Sequence, residues 1–276
     1  MSKNRGRAVV IAVASVVIVL GLVFAVTVRG GQSRETQWLS SEQPARTTPN
    51  TPSFSTAAPA PTTRRTLTVD SGCHPGQGPA ALDPVADATT RRVGAAWDRI
   101  ERWLKAKAPA SAASLRPPAT TAEVIETQKM IGVALPAELV ASLLRHDGAT
   151  GRGDGFTLPP FYAPVSTANI ATEAKTLCEA LVSIGVDESV GSWWHGKFVP
   201  FAADGSGNTL FLDQRTGTAR LGASDHEGGV DFARWPGSLT ELLEQTATAL
   251  ETGGAVVGGY RPVVTENRAL EWDFRR

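Results

Sequence analysis

The chain has no net charge. Its 276 residues carry 27 basic and 27 acidic side chains, so no global field draws in nucleic acid or holds the protein on an anionic lipid surface. Histidine is scarce. No two of His74, His146, His195 and His226 have the spacing of metal ligands. No G-x-S-x-G elbow is present, which removes the usual support for a serine hydrolase. No stretch repeats itself. The sequence therefore names no catalytic residue, cofactor or metal. Cysteine is limited to Cys73 and Cys178, and charge vanishes altogether from one segment near the N-terminus.

That segment, residues 8–28, reads AVVIAVASVVIVLGLVFAVTV. At ~1.5 Å per residue, a helix of this length matches a hydrocarbon core of roughly 30 Å and satisfies its own backbone there. Lys3, Arg5 and Arg7 precede it, and Arg29 and Arg34 follow. The positive-inside bias puts residues 1–7 in the cytoplasm and the remainder of the chain outside the plasma membrane. A cleaved signal peptide is the rival reading, because Val23-Phe24-Ala25 suits a peptidase. The apolar run, however, exceeds the ~7–15 residues of a signal core. Residues 29–81 are rich in Pro, Ser, Thr and Ala. They have little to bury and are expected to be a disordered linker that lifts the following domain off the bilayer.

From Leu82 the pattern becomes that of a folded domain, residues 82–276. Asp83-Pro84 reads as a helix start, followed by Val93, Ala96, Trp97, Ile100, Trp103 and Leu104 at helical spacing. Thr120 with Glu123 forms a capping box for a second helix that stops at Gly132. Pro136 opens a third, and Thr167 is expected to cap a fourth. Strands are expected at 198–202, 209–213 and 218–222, separated by the turns Asp204-Gly205-Ser206-Gly207-Asn208 and Arg215-Thr216-Gly217. Ser238 with Glu241 begins a last helix, ended by Gly253. The tail through Tyr260, Trp272 and Phe274 reads as extended and half-buried. The expected class is α+β, with a hairpin-rich, mainly antiparallel sheet flanked by helices, preceded by one transmembrane helix and the disordered linker.

Several segments in this order resemble the Smi/Knr branch of the SUKH superfamily. They are Trp97-Asp98-Arg99-Ile100-Glu101-Arg102-Trp103-Leu104, the stretch from Ile131-Gly132 through Leu135-Pro136 to Leu139, then His146-Asp147-Gly148, and finally Pro200-Phe201-Ala202 with Asp204-Gly205 and Gly207-Asn208 running into Leu210-Phe211-Leu212-Asp213. The likeness covers roughly residues 93–252. It implies a non-catalytic, protein-binding role: bacterial members resemble immunity proteins that neutralise toxins, and fungal members resemble regulators of cell-wall synthesis. An anchor and stalk depart from the cytoplasmic immunity pattern and leave room for an envelope regulator as partner. A cell-wall hydrolase, or a stalked structural protein without a specific ligand, stands as the alternative.

Among individual residues, Trp193-Trp194 with His195 is the strongest candidate contact, since aromatic residues anchor interfaces. One or both rings in the core is the competing account. Asp225 with His226 offers a titratable pair, or simply a polar loop. The Gly205 to Asn208 stretch lies between strands and reads as a turn, not a phosphate cradle. Cys73 and Cys178 either pair as a disulfide, as suits an extracytoplasmic domain, or leave Cys178 as a buried thiol on an apolar helix face.

Overall fold

A computed structural model describes residues 66–150 and 153–274. The expected cytoplasmic segment 1–7, the span 8–28 and the linker up to residue 65 lie outside the described residues. Among those described, no helix is long and apolar enough to cross a membrane.

The helical half follows from apolar spacing and caps. Helix α1 (Asp87–Lys107) buries Val93, Ala96, Trp97, Ile100 and Leu104 on one stripe. It starts three residues later than Asp83-Pro84 suggests, from Ala86 and without a side-chain cap. Leu82 and Val85 instead pack on the core as extended chain, and that burial outweighs a local capping preference worth ~1 kcal/mol. Pro109 heads the short α2 (Pro109–Ala113), where its missing N–H costs nothing. Helix α3 (Thr121–Ile131) has the full capping box: Glu123 N–H donates to Thr120 Oγ1 at 3.2 Å, and Thr120 N–H donates to Glu123 Oε2 at 2.7 Å. Gly132 ends α3 at φ 83°, and a Cβ there would lie 2.1 Å from the His74 carbonyl oxygen, so only glycine fits. After α4 (Ala137–Leu143), helix α5 (Thr167–Ile184) is capped by Ser166, not Thr167. The Thr167 N–H is already taken by Asp147 Oδ1 at 2.7 Å. Helix α6 (Leu239–Thr252) is capped by Ser238, while the Glu241 carboxylate accepts from Gly237 N–H.

The strands β1 (Ala163–Pro164), β2 (Phe198–Ala203), β3 (Thr209–Asp213), β4 (Arg220–Asp225) and β5 (Gly229–Asp231) lie side by side in that order, every pair antiparallel. All five residues of β3 are buried. Leu210 and Leu212 face the main core with Leu221, and Phe211 faces a second cluster with Phe198, Trp194, Leu177 and Leu181. With both faces covered, a one-residue slip would exchange the two apolar sets, which fixes the register. Two differences from the sequence reading concern this sheet. The third strand lies at 220–225 and not 218–222, because Ala219 sits in the turn at φ 50°. Strands β1 and β5 are too short to announce themselves by alternation. The tail forms a separate hairpin, β6 (Arg261–Val264) with β7 (Leu270–Asp273), pinned where Trp272 Nε1–H donates to the Thr157 carbonyl at 3.0 Å. The class is α+β with an antiparallel sheet, as expected.

The linker reading extends too far in one direction. From residue 66 to 81 the chain is a strap laid on the domain. Gly196 N–H donates to Ser71 O at 2.7 Å, Gly76 N–H donates to Met130 O at 3.1 Å, and Gln128 Nε2 donates to Ala81 O at 2.6 Å. Composition hides this because the strap adds few apolar side chains and is held through its own backbone, by the body's backbone and the Gln128 and Asp187 side chains, and by one covalent link. Cys73 and Cys178 are joined as a disulfide between strap and α5, with Cα atoms 5.8 Å apart.

Candidate protein-binding surface

The tryptophan pair is divided between interior and surface. Trp194 is fully buried, edge-on to Phe198 and Phe211 at 5.4 and 5.8 Å between ring centroids. It is a core residue, which corrects its reading as an exposed anchor. Trp193 is half-buried and its Nε1–H donates to the His226 carbonyl at 3.1 Å. His195 is half-buried beneath the strap, where a Cβ on Gly72 would strike its ring. Burial, then the nearby Arg215 charge, holds the His195 imidazole below its ordinary range.

Asp225 and His226 stand on the β4–β5 turn. Asp225 Oδ1 accepts the N–H groups of Gly228 and Glu227 at 2.8 and 2.9 Å, and these bonds lower its carboxyl. The backbone N–H of His226 and its Nδ1–H both donate to Asn208 Oδ1, at 3.1 and 2.9 Å. Asn208 Nδ2 in turn donates to Asp204 Oδ2 at 2.8 Å. The Gly-rich stretch is therefore a turn whose polar groups are spent on tying two hairpins together. The fold joins Trp193, Asp225 and His226 through this network and sets Trp194 and His195 apart from it.

Beside Asp225 lies a cleft that no sequence motif announced. It has a volume of about 190 Å³ and is lined by Phe161, Tyr162, Trp235 and Tyr260, with Asp225, Asp231 and Arg234 supplying charge. Phe161 stacks on Tyr162 at 5.6 Å and meets Tyr260 edge-on at 6.2 Å. Tyr260 in turn leans on Phe274 at 5.5 Å. Phe161 and Phe274 remain 49% and 50% exposed, an unusual amount of aromatic surface to leave in water. These rings come from chain positions about a hundred residues apart.

The cleft carboxylates are poor candidates for acid–base work. Asp231 is lowered by its bond to Arg234 Nε, 2.6 Å away, and by the Ala233 N–H. A general acid needs the opposite displacement. Among the described residues, no group of three or more His, Cys, Asp or Glu is placed to hold a metal. A larger groove of about 530 Å³ runs between α1, α4 and the β3–β4 turn. Two of its charged groups are occupied internally: Arg92 bonds Glu244, and Glu138 accepts from both the N–H and hydroxyl of Thr240.

No curated protein matches the chain. Residues 118–251, from just before α3 to the last turn of α6, match the model of the SMI1 / KNR4 family (SUKH-1), so α1 and the β6–β7 hairpin are packed around, but lie outside, the matched segment. It is in this segment, residues 118–251, that the chain is similar to the SMI1 / KNR4 family (SUKH-1).

Proposed function

We propose that this chain is a non-catalytic module that captures another protein through the Phe161–Tyr260 cleft, and that residues 8–28 tether it to the outer face of the plasma membrane. The observation that carries the binding role is the half-exposed aromatic cluster beside a family-matched domain. Exposed aromatic rings are what a protein interface uses at its centre, with charged groups at the rim. The partner is a toxin neutralised by immunity or a regulator of envelope synthesis. The disulfide between Cys73 and Cys178 supports the outer location, because such bonds persist in oxidising compartments and not in the cytosol.

Photo-crosslinking in native membranes tests capture. A benzophenone amino acid at position 161 is expected to trap a discrete protein adduct, while the same group at the exposed Leu144 traps none. Equal labelling from both positions, or from neither, removes the cleft from the interface. A reporter fused after residue 276 reads the topology: activity confined to the cytoplasm overturns the outer placement.

A further inference from the structure

We propose that the cleft receives a cationic side chain, arginine or lysine, presented by the partner protein. This rests on the protein-capture reading and names the chemistry of its guest.

Size comes first. A cavity of about 190 Å³ falls below the ~300–1,000 Å³ typical of small-molecule sites and suits one side chain. Its walls come next. Tyr162, Trp235, Phe161 and Tyr260 line it with rings, and the electron-rich face of an aromatic ring attracts a cation. Charge decides between an aliphatic and a cationic guest. Asp225 and Asp231 against Arg234 give the lining two negative groups and one positive, net −1. Arg234 is already held by Asp231 at 2.6 Å, so Asp225 is the carboxylate available to a guest. Its neighbour Glu227, almost fully exposed on the same turn, extends the negative rim. The field is felt inside the cleft as well. Burial raises the Tyr162 hydroxyl to about 12, and Asp204 and Asp225 add to that effect. An anionic guest would meet the same repulsion, and a neutral one would gain no charge attraction from Asp225, whose Oδ1 is already held by the Glu227 and Gly228 N–H groups.

The test uses the full-length chain in detergent micelles with 5-fluorotryptophan, reading the fluorine resonance of Trp235. The probes are three capped peptides, Ac-Gly-Arg-Gly-NH2 and its counterparts with Gln or Leu in place of Arg. The arginine peptide is expected to shift the Trp235 resonance saturably and to bind at least tenfold more tightly than either neutral peptide. Its affinity should fall as salt rises. Asp225→Asn should weaken it at least fivefold, with the circular dichroism spectrum unchanged. Equal binding of the Gln or Leu peptide, no shift at Trp235, or no effect of Asp225→Asn overturns the assignment. An adduct at position 161 without arginine selectivity overturns the cationic guest and leaves protein capture standing. Arginine selectivity without an adduct supports the cationic site and removes protein capture.

Discussion

The ring of Tyr162 meets the indole of Trp235 edge-on, with centroids 5.7 Å apart and planes at 79°. Tyr162 immediately precedes β1 and Trp235 follows β5, the two outermost strands of the sheet. The chain flanking opposite sheet edges therefore converges, and the cleft is the product of that convergence. Tyr162 is buried while its stacking partner Phe161 is half-exposed, so neighbouring residues divide support from recognition.

This division gives a paired prediction. Phe161→Ala should reduce partner affinity by about 2 kcal/mol, some 30-fold, as truncation of an interface anchor does. Its effect on stability should stay within about 1 kcal/mol. Tyr162→Ala should cost roughly 3 kcal/mol of stability through the cavity it leaves. Urea denaturation alongside a binding titration separates them. Equal stability losses for both variants would show that Phe161 supports the fold as much as Tyr162 does.

The tryptophan pair is distinguished in the same way. Trp194→Ala removes a fully buried indole and should destabilise by about 3–5 kcal/mol. Trp193→Ala loses one hydrogen bond to the His226 carbonyl and part of its packing, for about 1–2 kcal/mol. Thermal melts of the two variants should differ by several degrees, Trp194→Ala melting first.

What could be read from sequence alone was whatever is decided within one turn of chain. The α3 cap was legible because Thr120 and Glu123 satisfy each other three residues apart. Strand β3 was legible because its apolar run is bounded by two turns. The start of α1 misled because Asp83-Pro84 is a good local signal that loses to burial of Leu82 and Val85, a tertiary effect. The Trp193-Trp194 pair marked an important position, but which ring points inward depends on the strands it packs against. The cleft was illegible: Phe161, Trp235 and Tyr260 share no periodicity, and only the topology brings them together. The strap was hidden for a related reason, since its hold is a disulfide and bonds made through its own backbone, which leave no compositional trace.

Glu101 supplies a pH prediction. It is buried on α1, where His146 Nε2 lies 3.0 Å from Oε1, Arg145 Nε donates to Oε1 at 2.7 Å and Lys105 Nζ donates to Oε2 at 3.0 Å. Burial pushes the carboxyl up, but the bonds from His146, Lys105 and Arg145 together outweigh it and bring it down to about 2 from 4.5. A folded value below the unfolded one means that the ionised form stabilises the fold. That contribution, about 3 kcal/mol, is complete above about pH 4.5 and is lost as pH falls toward 2. Glu101→Gln should flatten stability across that window. It should also lower stability at neutral pH by several kcal/mol, because Arg145 and Lys105 lose the negative charge they pair with and Lys105 meets an amide N–H in place of a carboxylate oxygen. An unchanged acid limb in the Gln variant would assign the pH dependence to other carboxylates.

The disulfide makes the strap part of the domain, and its removal should be felt there first. Cys73 and Cys178 are 105 residues apart; closing a loop of that length restricts the unfolded chain by at most ~4–5 kcal/mol in the entropic model. Cys178→Ser should therefore lower the denaturation midpoint in non-reducing buffer, and reductant should move the wild type to the same midpoint. The strap's remaining contacts are a few backbone bonds, the Asp187 carboxylate accepting from Thr68 and Val69, the Gln128 amide donating to the Pro79 and Ala81 carbonyls, and Leu67 as a partly buried apolar foothold in the second cluster. Without the covalent link they do not repay the entropy of holding sixteen-odd residues in place. Amide exchange in the variant should thus rise across 66–81 well before α5 or β3 is affected. Exchange that rises uniformly across the domain would mean that strap and body unfold as one unit, with the bond bracing the whole core.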